Sequence, residues 1–227
     1  MADDKSTSID WDFVTKVEGG SQKRPYVLSS DKYPKGGVLV GVGVDLGQHN
    51  PNQLLISESL KEKLRPYWGL KGEDAVNIIK IHKENNTLPS LSKKELSEIN
   101  KAVFDDIERK VIDTYNRHNP IVAWDDLSRE QRTVIFDIGY QFGPQFTKKD
   151  GTDMDFIKQA AEGRWSDVIE NLSDFGGDPS FQGRREQEIK LLNKSLQPQT
   201  SSLPIVDTSI FDINPSDRDT IAGILHG

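Results

Sequence analysis

The chain has 227 residues, of which 34% are hydrophobic and 29% charged, a composition typical of one ordinary globular domain rather than of a disordered segment. The net charge of −7 argues against nucleic-acid binding, which depends on Lys and Arg side chains that neutralise phosphates. The absence of cysteine excludes disulfides, thiol catalysis and Cys-based zinc sites. The histidines fall in no metal-ligand spacing, so we predict no metal and no cofactor; they are His49, His82, His118 and His226.

The N-terminus and the apolar runs bear on location. No apolar run approaches the roughly 20 residues of a membrane-spanning helix, so we expect no membrane insertion. Residues 1–5 are polar and acidic, without the positively charged start and apolar core of a Sec signal peptide. We therefore expect a protein made in the cytoplasm without a Sec signal, which needs another route if it acts elsewhere.

A first amphipathic helix is predicted from Ser8, which can cap it, to Glu18. Its apolar positions recur with the period of one helix face, at Ile9, Phe13 and Val17. Gly19 then ends it, because glycine adopts the left-handed C-terminal cap at little steric cost. Glu18 lies in the last turn, where the negative end of the helix dipole disfavours a carboxylate, so helix stability does not explain its presence.

Residues 21–35 are polar and predict turns, and the pattern then changes to alternation with a period of two. One set of positions predicts a packed face, formed by Val38, Val40, Val42, Val44 and Leu46. The opposite face is nearly bare, with Leu39, Gly41, Gly43, Asp45 and Gly47. We predict a small hairpin over about 36–48 whose glycines allow close approach by another backbone or by a ligand.

The remainder is predicted to be helical. Two helices begin with a capping box, Ser92 with Glu95 and Ser128 with Gln131. The predicted ranges are about 56–64 (a weak helix), 92–115, 128–142, 153–162, 164–172 and 181–194. Residues from Gln197 onward predict a linker and then a short segment, 217–226. A helix, a small sheet and then many helices indicate the α+β class with a dominant α lobe.

Two carboxylates stand out from this pattern. Glycoside hydrolysis usually needs a protonated carboxyl that gives its proton to the leaving oxygen and a second carboxylate that activates water or attacks the sugar. Glu18 follows an apolar helix face, a setting that raises a carboxyl pKa, although a solvated glutamate at a helix end is the simpler interpretation. Asp45 is the only charged residue between Gly36 and Gly47, and it shares its face with three glycines. A turn-capping aspartate would look the same.

Four motifs in chain order resemble those of one known family. They are Glu18-Gly19 with the hairpin run Gly41–Gln48, the helix from Leu127 to Gly143, the Gly163–Trp165 junction, and the helix that begins Gly183-Arg184-Arg185. Together they resemble the phage-type lysozymes, and most closely the pesticin-like muramidase domains, a branch that includes bacteriocin and type VI secretion effectors. The resemblance covers roughly residues 9–195.

The resemblance implies an α+β, lysozyme-like fold with a small β-hairpin lobe (about 20–50) and a larger α-helical lobe (about 54–195). It divides the chain into an N-terminal tail (1–8), a catalytic domain (9–195) and a C-terminal extension (196–227). It implies a muramidase that hydrolyses the β-1,4 bond between N-acetylmuramic acid and N-acetylglucosamine, with peptidoglycan strands as substrate.

By the same resemblance Glu18 is the general acid and Asp45 the second carboxylate. Arg184 or Arg185 would lie near the acid and orient it, although surface ion pairs, for Arg185 with Glu186 or Glu188, are the alternative. The residues expected to contact the sugar are Leu39, Gly41, Gly43, Gln48, Tyr140 and Gln141.

One position departs from the family pattern. The family usually carries a threonine six residues before the aspartate, and this chain has Leu39 there, which has no hydroxyl to position water. Asp45 then acts with the water held by another group, or the site binds glycan with impaired hydrolysis. Asp31, with Ser29 and Ser30, could supply the missing polar group.

Three functions therefore compete: a muramidase, a lysozyme-fold protein that binds peptidoglycan with weak or no hydrolysis, and an unrelated helical interaction protein. For the muramidase we favour an antibacterial toxin that acts in the periplasm or cell wall after delivery, over a phage endolysin. A toxin of this kind implies a cognate immunity protein as a partner. We expect a monomer.

Overall fold

The computed structural model describes residues 9–28, 35–174 and 181–197. Ser8, the loop residues Ser29, Ser30 and Asp31, and the predicted segment 217–226 lie outside the described residues. Contacts between residues divide the chain into two units, Met1–Ser195 and Leu196–Gly227. The elements below belong to the first unit, except for the last residue of the final helix.

The first helix, α1, spans Trp11–Val17, and its N-cap is Asp10, whose side chain accepts from the backbone N–H of Phe13 at 3.1 Å. The predicted start at Ser8 is therefore wrong, because the aspartate provides the cap two residues later. Glu18 is the C-cap, and Gly19 follows with φ +82°, as the glycine pattern predicts.

The sheet has three antiparallel strands in the order β1 (Gln22–Tyr26), β2 (Leu39–Gly41) and β3 (Val44–Asp45). The predicted valine face is confirmed, since all five of its side chains are at most 1% exposed. The prediction of turns over 21–35 is wrong for β1. That strand is mostly exposed and polar, so it lacks the apolar alternation that reveals a strand and is held by backbone pairing with β2.

Seven further helices follow within the described residues. They are α2 (Glu58–Leu64), α3 (Gly72–Glu84), α4 (Lys93–Arg117), α5 (Arg129–Phe142), α6 (Asp155–Ala161), α7 (Trp165–Ser173) and α8 (Gln182–Leu196), with short 3₁₀ turns at Pro51–Gln53, Arg65–Tyr67 and Trp124–Asp126. Both predicted capping boxes are present, at Ser92 and Ser128. In the part of the chain that is described, no helix has the length and apolar character needed to cross a membrane.

Helix α3 was not predicted from the sequence. It begins at a glycine without a side-chain cap, and only Ala75 and Ile79 are buried in it. A helix with so few buried positions carries a weak periodic signal. The class is nevertheless α+β with a dominant helical part, as predicted.

Helix α5 forms the centre of the helical part and positions the end of α1. Its buried Phe136 packs with Trp11 of α1 and Phe104 of α4, with ring centroids 4.9 and 5.6 Å apart. The hydroxyl of Thr133 on α5 also accepts from the backbone N–H of Asp10 at 2.8 Å. Because α1 is fixed on α5 both by packing and at its N-cap, Glu18 at the other end of α1 has a defined position.

Candidate active site

Glu18 lies at the end of α1 with its side chain only 18% exposed. Arg184 of α8 reaches it from 166 positions along the chain, and its Nη2 donates to Glu18 Oε1 at 2.5 Å. The two positions are brought together by the fold and not by local sequence. Of the two arginines predicted near the acid, Arg184 is therefore the one that contacts it.

Arg184 is held on its other side by Asp137 of α5, which is fully buried. Arg184 Nε donates to Asp137 Oδ2 at 2.9 Å and Nη2 donates to Oδ1 at 2.7 Å. This paired arrangement matches the planar guanidinium to a carboxylate and fixes its plane. Arg184 consequently presents a fixed edge to Glu18.

Arg185 contacts side chains other than Glu18. Its Nη1 donates to Glu188 Oε2 at 2.5 Å, its Nη2 donates to the side-chain oxygen of Gln141, and its guanidinium lies 5.5 Å from the centroid of the Phe142 ring. Among the two partners predicted for Arg185, the structure places Glu188 and not Glu186 beside it. Arg185 thus supports the wall behind the site.

The electrostatic setting of Glu18 favours its protonated form. Burial raises its pKa, and the negative charge of Asp137 adds to this, whereas the charge and the hydrogen bond of Arg184 lower the pKa by less. Burial opposes the charge on Arg184, yet the pKa of Arg184 is raised because Asp137 and Glu18 stabilise the guanidinium. Glu18 can therefore hold a proton at a higher pH than a free glutamate, and its carboxylate finds a cation once the proton leaves.

Asp45 ends β3 and its carboxylate is fixed by the backbone. Oδ1 accepts from the N–H of Gly47 at 2.8 Å and Oδ2 accepts from the N–H of Gly37 at 3.2 Å. The turn-capping role considered from the sequence is therefore present. It does not use up the group, because a carboxylate has about four acceptor sites.

One row of residues crosses the sheet and ends at Asp45. Tyr26 of β1 pairs with Leu39 of β2, and Leu39 pairs with Asp45 of β3, so the three side chains lie on the same face. Burial, and after it the charge of Glu18, raise the pKa of Tyr26. A cavity of about 120 Å³ adjoins the row, lined by Leu39, Asp45 and residues that include Val27, Leu28 and Val76.

Comparison with known proteins identifies the family. Residues 8–166 match the family model described as "Pesticin: Bacterial toxin homologue of phage lysozyme, C-term". The chain belongs to the pesticin family. A solved structure described as "Crystal structure of active form of P1 phage endolysin Lyz" is similar with 16% sequence identity and a TM-score of 0.47, over 83% of this chain and 84% of that chain. No curated protein matches the chain.

Membership of the pesticin family confirms the phage-lysozyme resemblance and the lysozyme-like α+β fold, and it makes the chain a lysozyme-type peptidoglycan hydrolase by family. The third function considered, an unrelated helical interaction protein, is thereby excluded. In this pesticin-family chain Leu39, which replaces the usual threonine, stands directly opposite Asp45. Asp31, the predicted substitute for that threonine, lies outside the described residues.

The two glycines expected to contact sugar differ in surroundings. A Cβ on Gly41 would lie 2.1 Å from Oδ1 of Asn100, and this side-chain oxygen accepts from the N–H of Val42 at 3.2 Å. Gly41 also has φ +62°, a left-handed conformation that favours glycine, so a ligand is not needed to explain it. Gly43 has φ +89° and open space where a Cβ would point.

The polar candidates are mostly engaged inside the domain. The hydroxyl of Tyr140 donates to the carbonyl of Val42 at 3.0 Å, and the side-chain oxygen of Gln141 accepts from Arg185. Tyr140 and Gln141 therefore have partners within the domain, and their contact with sugar stays a prediction. Gln48 is exposed and accepts from Lys71 Nζ at 3.0 Å.

Sequence reasoning missed two residues of this site, Asp137 and Tyr26. A signal for Asp137 exists, because it interrupts the buried apolar run Val134–Ile138 and a charge at such a position requires a partner. Tyr26 offers no comparable signal, since its place in the row depends on the unpredicted strand β1.

Proposed function

We propose that this pesticin-family chain is a muramidase that hydrolyses the β-1,4 bond between N-acetylmuramic acid and N-acetylglucosamine, with Glu18 as general acid and Asp45 as the second carboxylate. The observation that carries the proposal is the setting of Glu18, a mostly buried carboxyl with a raised pKa and a single fixed arginine partner. A glycosidase acid needs this combination, because it must hold a proton near neutral pH and then accept a negative charge.

The proposed reaction gives each carboxyl group one role. Glu18 gives its proton to the glycosidic oxygen as the bond from that oxygen to the sugar carbon breaks, and Arg184 stabilises the carboxylate that remains. A water supplies the hydroxyl that the sugar carbon gains. Asp45, with both oxygens fixed by Gly37 and Gly47, acts on the opposite side as the base for this water or as the attacking group. As base, Asp45 takes a proton from this water, and the proton returns to Glu18 through solvent. As attacking group, Asp45 forms a bond to the sugar carbon that the water then displaces, and Glu18 takes the proton of that water.

A second function, peptidoglycan binding with weak or no hydrolysis, is favoured by one observation. Leu39 faces Asp45 across the β2–β3 pair and cannot hydrogen-bond to water, so the second carboxylate lacks the hydroxyl that the family usually places there.

Digestion of purified sacculi distinguishes the two functions. We expect soluble muropeptides that end in a reducible N-acetylmuramic acid, detected by mass spectrometry after borohydride reduction. Reducing ends on N-acetylglucosamine would contradict the proposed bond. Co-sedimentation with sacculi without any released muropeptide would support the binding function and reject hydrolysis.

We also propose that the protein is an antibacterial toxin that acts in the periplasm or cell wall of a target bacterium, with a cognate immunity protein in the producer. The family description, a bacterial toxin homologue of phage lysozyme, supports this setting. Expression in a Gram-negative host should be tolerated in the cytoplasm and should lyse cells when a periplasmic targeting signal is added. Equal toxicity with and without that signal would contradict the proposal, and the E18Q variant with the signal is the matched control.

A further inference from the structure

The buried cluster behind Glu18 contains a carboxyl group that the mechanism above does not use. Glu188 of α8 is fully buried, and its Oε2 accepts from Arg185. Its other oxygen, Oε1, lies 3.5 Å from Arg184 Nε and accepts no hydrogen bond from the described residues. A buried carboxylate oxygen without a hydrogen-bond donor carries a large desolvation cost. The ionised form of Glu188 therefore fits this position poorly.

Asp137 is placed to accept a hydrogen bond from a protonated Glu188. Arg184 Nε lies 2.9 Å from Asp137 Oδ2 and 3.5 Å from Glu188 Oε1, so the two carboxyl groups flank one N–H. Both are fully buried. A protonated carboxyl has an O–H to donate whereas a carboxylate has none. A neutral Glu188 can hydrogen-bond to Asp137 without repulsion between two like charges.

We propose that Glu188 is a positioning residue, held as a neutral carboxylic acid that donates to Asp137 and so keeps Arg184 directed at Glu18. The inference rests on the proposed role of Glu18. With Glu188 neutral, the positive charges of Arg184 and Arg185 balance the negative charges of Asp137 and of Glu18 after proton transfer. An ionised Glu188 would add a third negative charge, which would compete for Arg184 and oppose the ionisation of Glu18.

The direction of the pKa of Glu188 agrees with this geometry. Burial is the main cause that raises the pKa of Glu188, and the hydrogen bond with Asp137 acts in the same direction, whereas Arg185 and Arg184 act against both. Such proton-sharing between adjacent buried carboxyl groups is a known consequence of like-charge repulsion.

The titratable and charged groups around the cluster come from four elements. They are Arg184 and Arg185 on α8, Asp137 and Tyr140 on α5, Glu18 at the end of α1, and Tyr26 on β1. Burial is the main cause of a raised pKa for both tyrosines. They therefore stay neutral through the range in which carboxyl groups titrate.

The variants E188Q and E188L test the proposal in the full chain. Glutamine keeps one donor and one acceptor, like a protonated glutamate, whereas leucine keeps neither. We expect E188Q to retain kcat within about threefold with an unchanged pH profile, and E188L to lose about tenfold or more in kcat with little change in KM, since misplacing the acid affects the chemical step. E186Q, an exposed change on the same helix, is the matched control. A loss in E188Q as large as that in E188L, or a shifted pH profile in E188Q, would overturn the inference.

A measurement independent of catalysis keeps the test decisive if E188L does not fold. In a ¹³C-carboxyl titration of the full chain, the resonance absent from E188Q should keep the shift of a protonated acid up to about pH 7, far above the usual pKa of about 4.3. The shift of an ionised carboxylate at that pH would reject the proposal. Because this titration involves no substrate, its outcome is separate from that of the Glu18 assignment, which fails only if E18Q remains active.

Discussion

The E18Q variant should release muropeptides about 10³-fold more slowly than the unaltered protein, a loss within the range that general acid catalysis contributes. Glutamine matches the shape of the protonated glutamate but has no proton to give to the leaving oxygen. Arg184 keeps its two bonds to buried Asp137 in this variant, so the wall of the site stays in place. Muropeptide release by E18Q at more than about a tenth of the normal rate would remove Glu18 from the role of acid.

Glu162 provides a closely matched control for this variant. It is also a helix C-cap, its backbone angles (φ −79°, ψ 1°) are almost those of Glu18 (φ −78°, ψ 3°), and it also precedes a glycine with positive φ. It pairs with Arg164, but the Glu162 side chain is 57% exposed. We expect E162Q to leave the rate unchanged, since what distinguishes Glu18 is burial and the Arg184 pair, not the local turn.

The raised pKa of Glu18 has a defined consequence for pH. The acid works only while protonated, so activity should persist above the pKa of about 4.3 that an ordinary glutamate has and fall as pH rises through the raised pKa. The raised pKa also predicts that the free energy of unfolding falls as pH rises. A folded-state pKa above the unfolded one means that ionised Glu18 destabilises the fold as pH rises, so E18Q should unfold at an equal or higher temperature than the unaltered protein at pH 7. If E18Q lost activity because it unfolds, it would instead unfold at a lower temperature than the unaltered protein at pH 7.

The hairpin was predictable because its physical signal is local. Alternation of Val38, Val40, Val42 and Val44 follows directly from one packed face of a strand, and all four are buried. Strand β1 was not predictable, because its Gln-Lys-Arg start is exposed and its backbone is held by partners that are distant in the sequence, β2 and Leu91. Such non-local stabilisation leaves no mark in the sequence of the strand itself.

The candidate site likewise combines features with a local sequence signal and contacts that only the fold creates. Glu18 and Glu162 have the same local pattern, a glutamate at a helix end followed by glycine, and no local property separates them. The pair with Arg184 is made by a fold that joins positions 166 residues apart. The pesticin-like motifs pointed to Glu18 because they carry that long-range information, whereas Asp137 was missed because it belongs to none of the motifs used.

The second large effect is expected for D45N, about 10²-fold in rate, if Asp45 is the base or attacking group. This variant separates catalysis from the turn. Asparagine forms the same side-chain turn as aspartate, and its oxygen can still accept from the N–H of Gly47. The stability cost should be the roughly 1–3 kcal/mol of leaving the N–H of Gly37 without its acceptor. If D45N lost activity only at temperatures at which it unfolds, Asp45 would serve the turn alone.

Asp150 is the matched control for this turn. It accepts from the N–H of Thr152 two residues later at 2.9 Å, as Asp45 does from Gly47, and it precedes Gly151 with φ +84° in an exposed loop. D150N should change neither rate nor stability appreciably, since an exposed loop tolerates the loss of a charge.

The residue at position 39 provides a test of whether Asp45 acts on a water molecule. If Asp45 works on a water that lacks a second hydrogen bond, L39T should raise the rate by about fivefold, the equivalent of one hydrogen bond of about 1 kcal/mol, because position 39 lies directly opposite Asp45. The gain should disappear in the D45N background, since the hydroxyl would then position a water that no base activates. A gain of equal size in both backgrounds would show that the threonine acts independently of Asp45. The expected non-additivity therefore ties the departure at position 39 to the second carboxylate, and it makes the leucine a restraint on a working hydrolase rather than the mark of a binding protein.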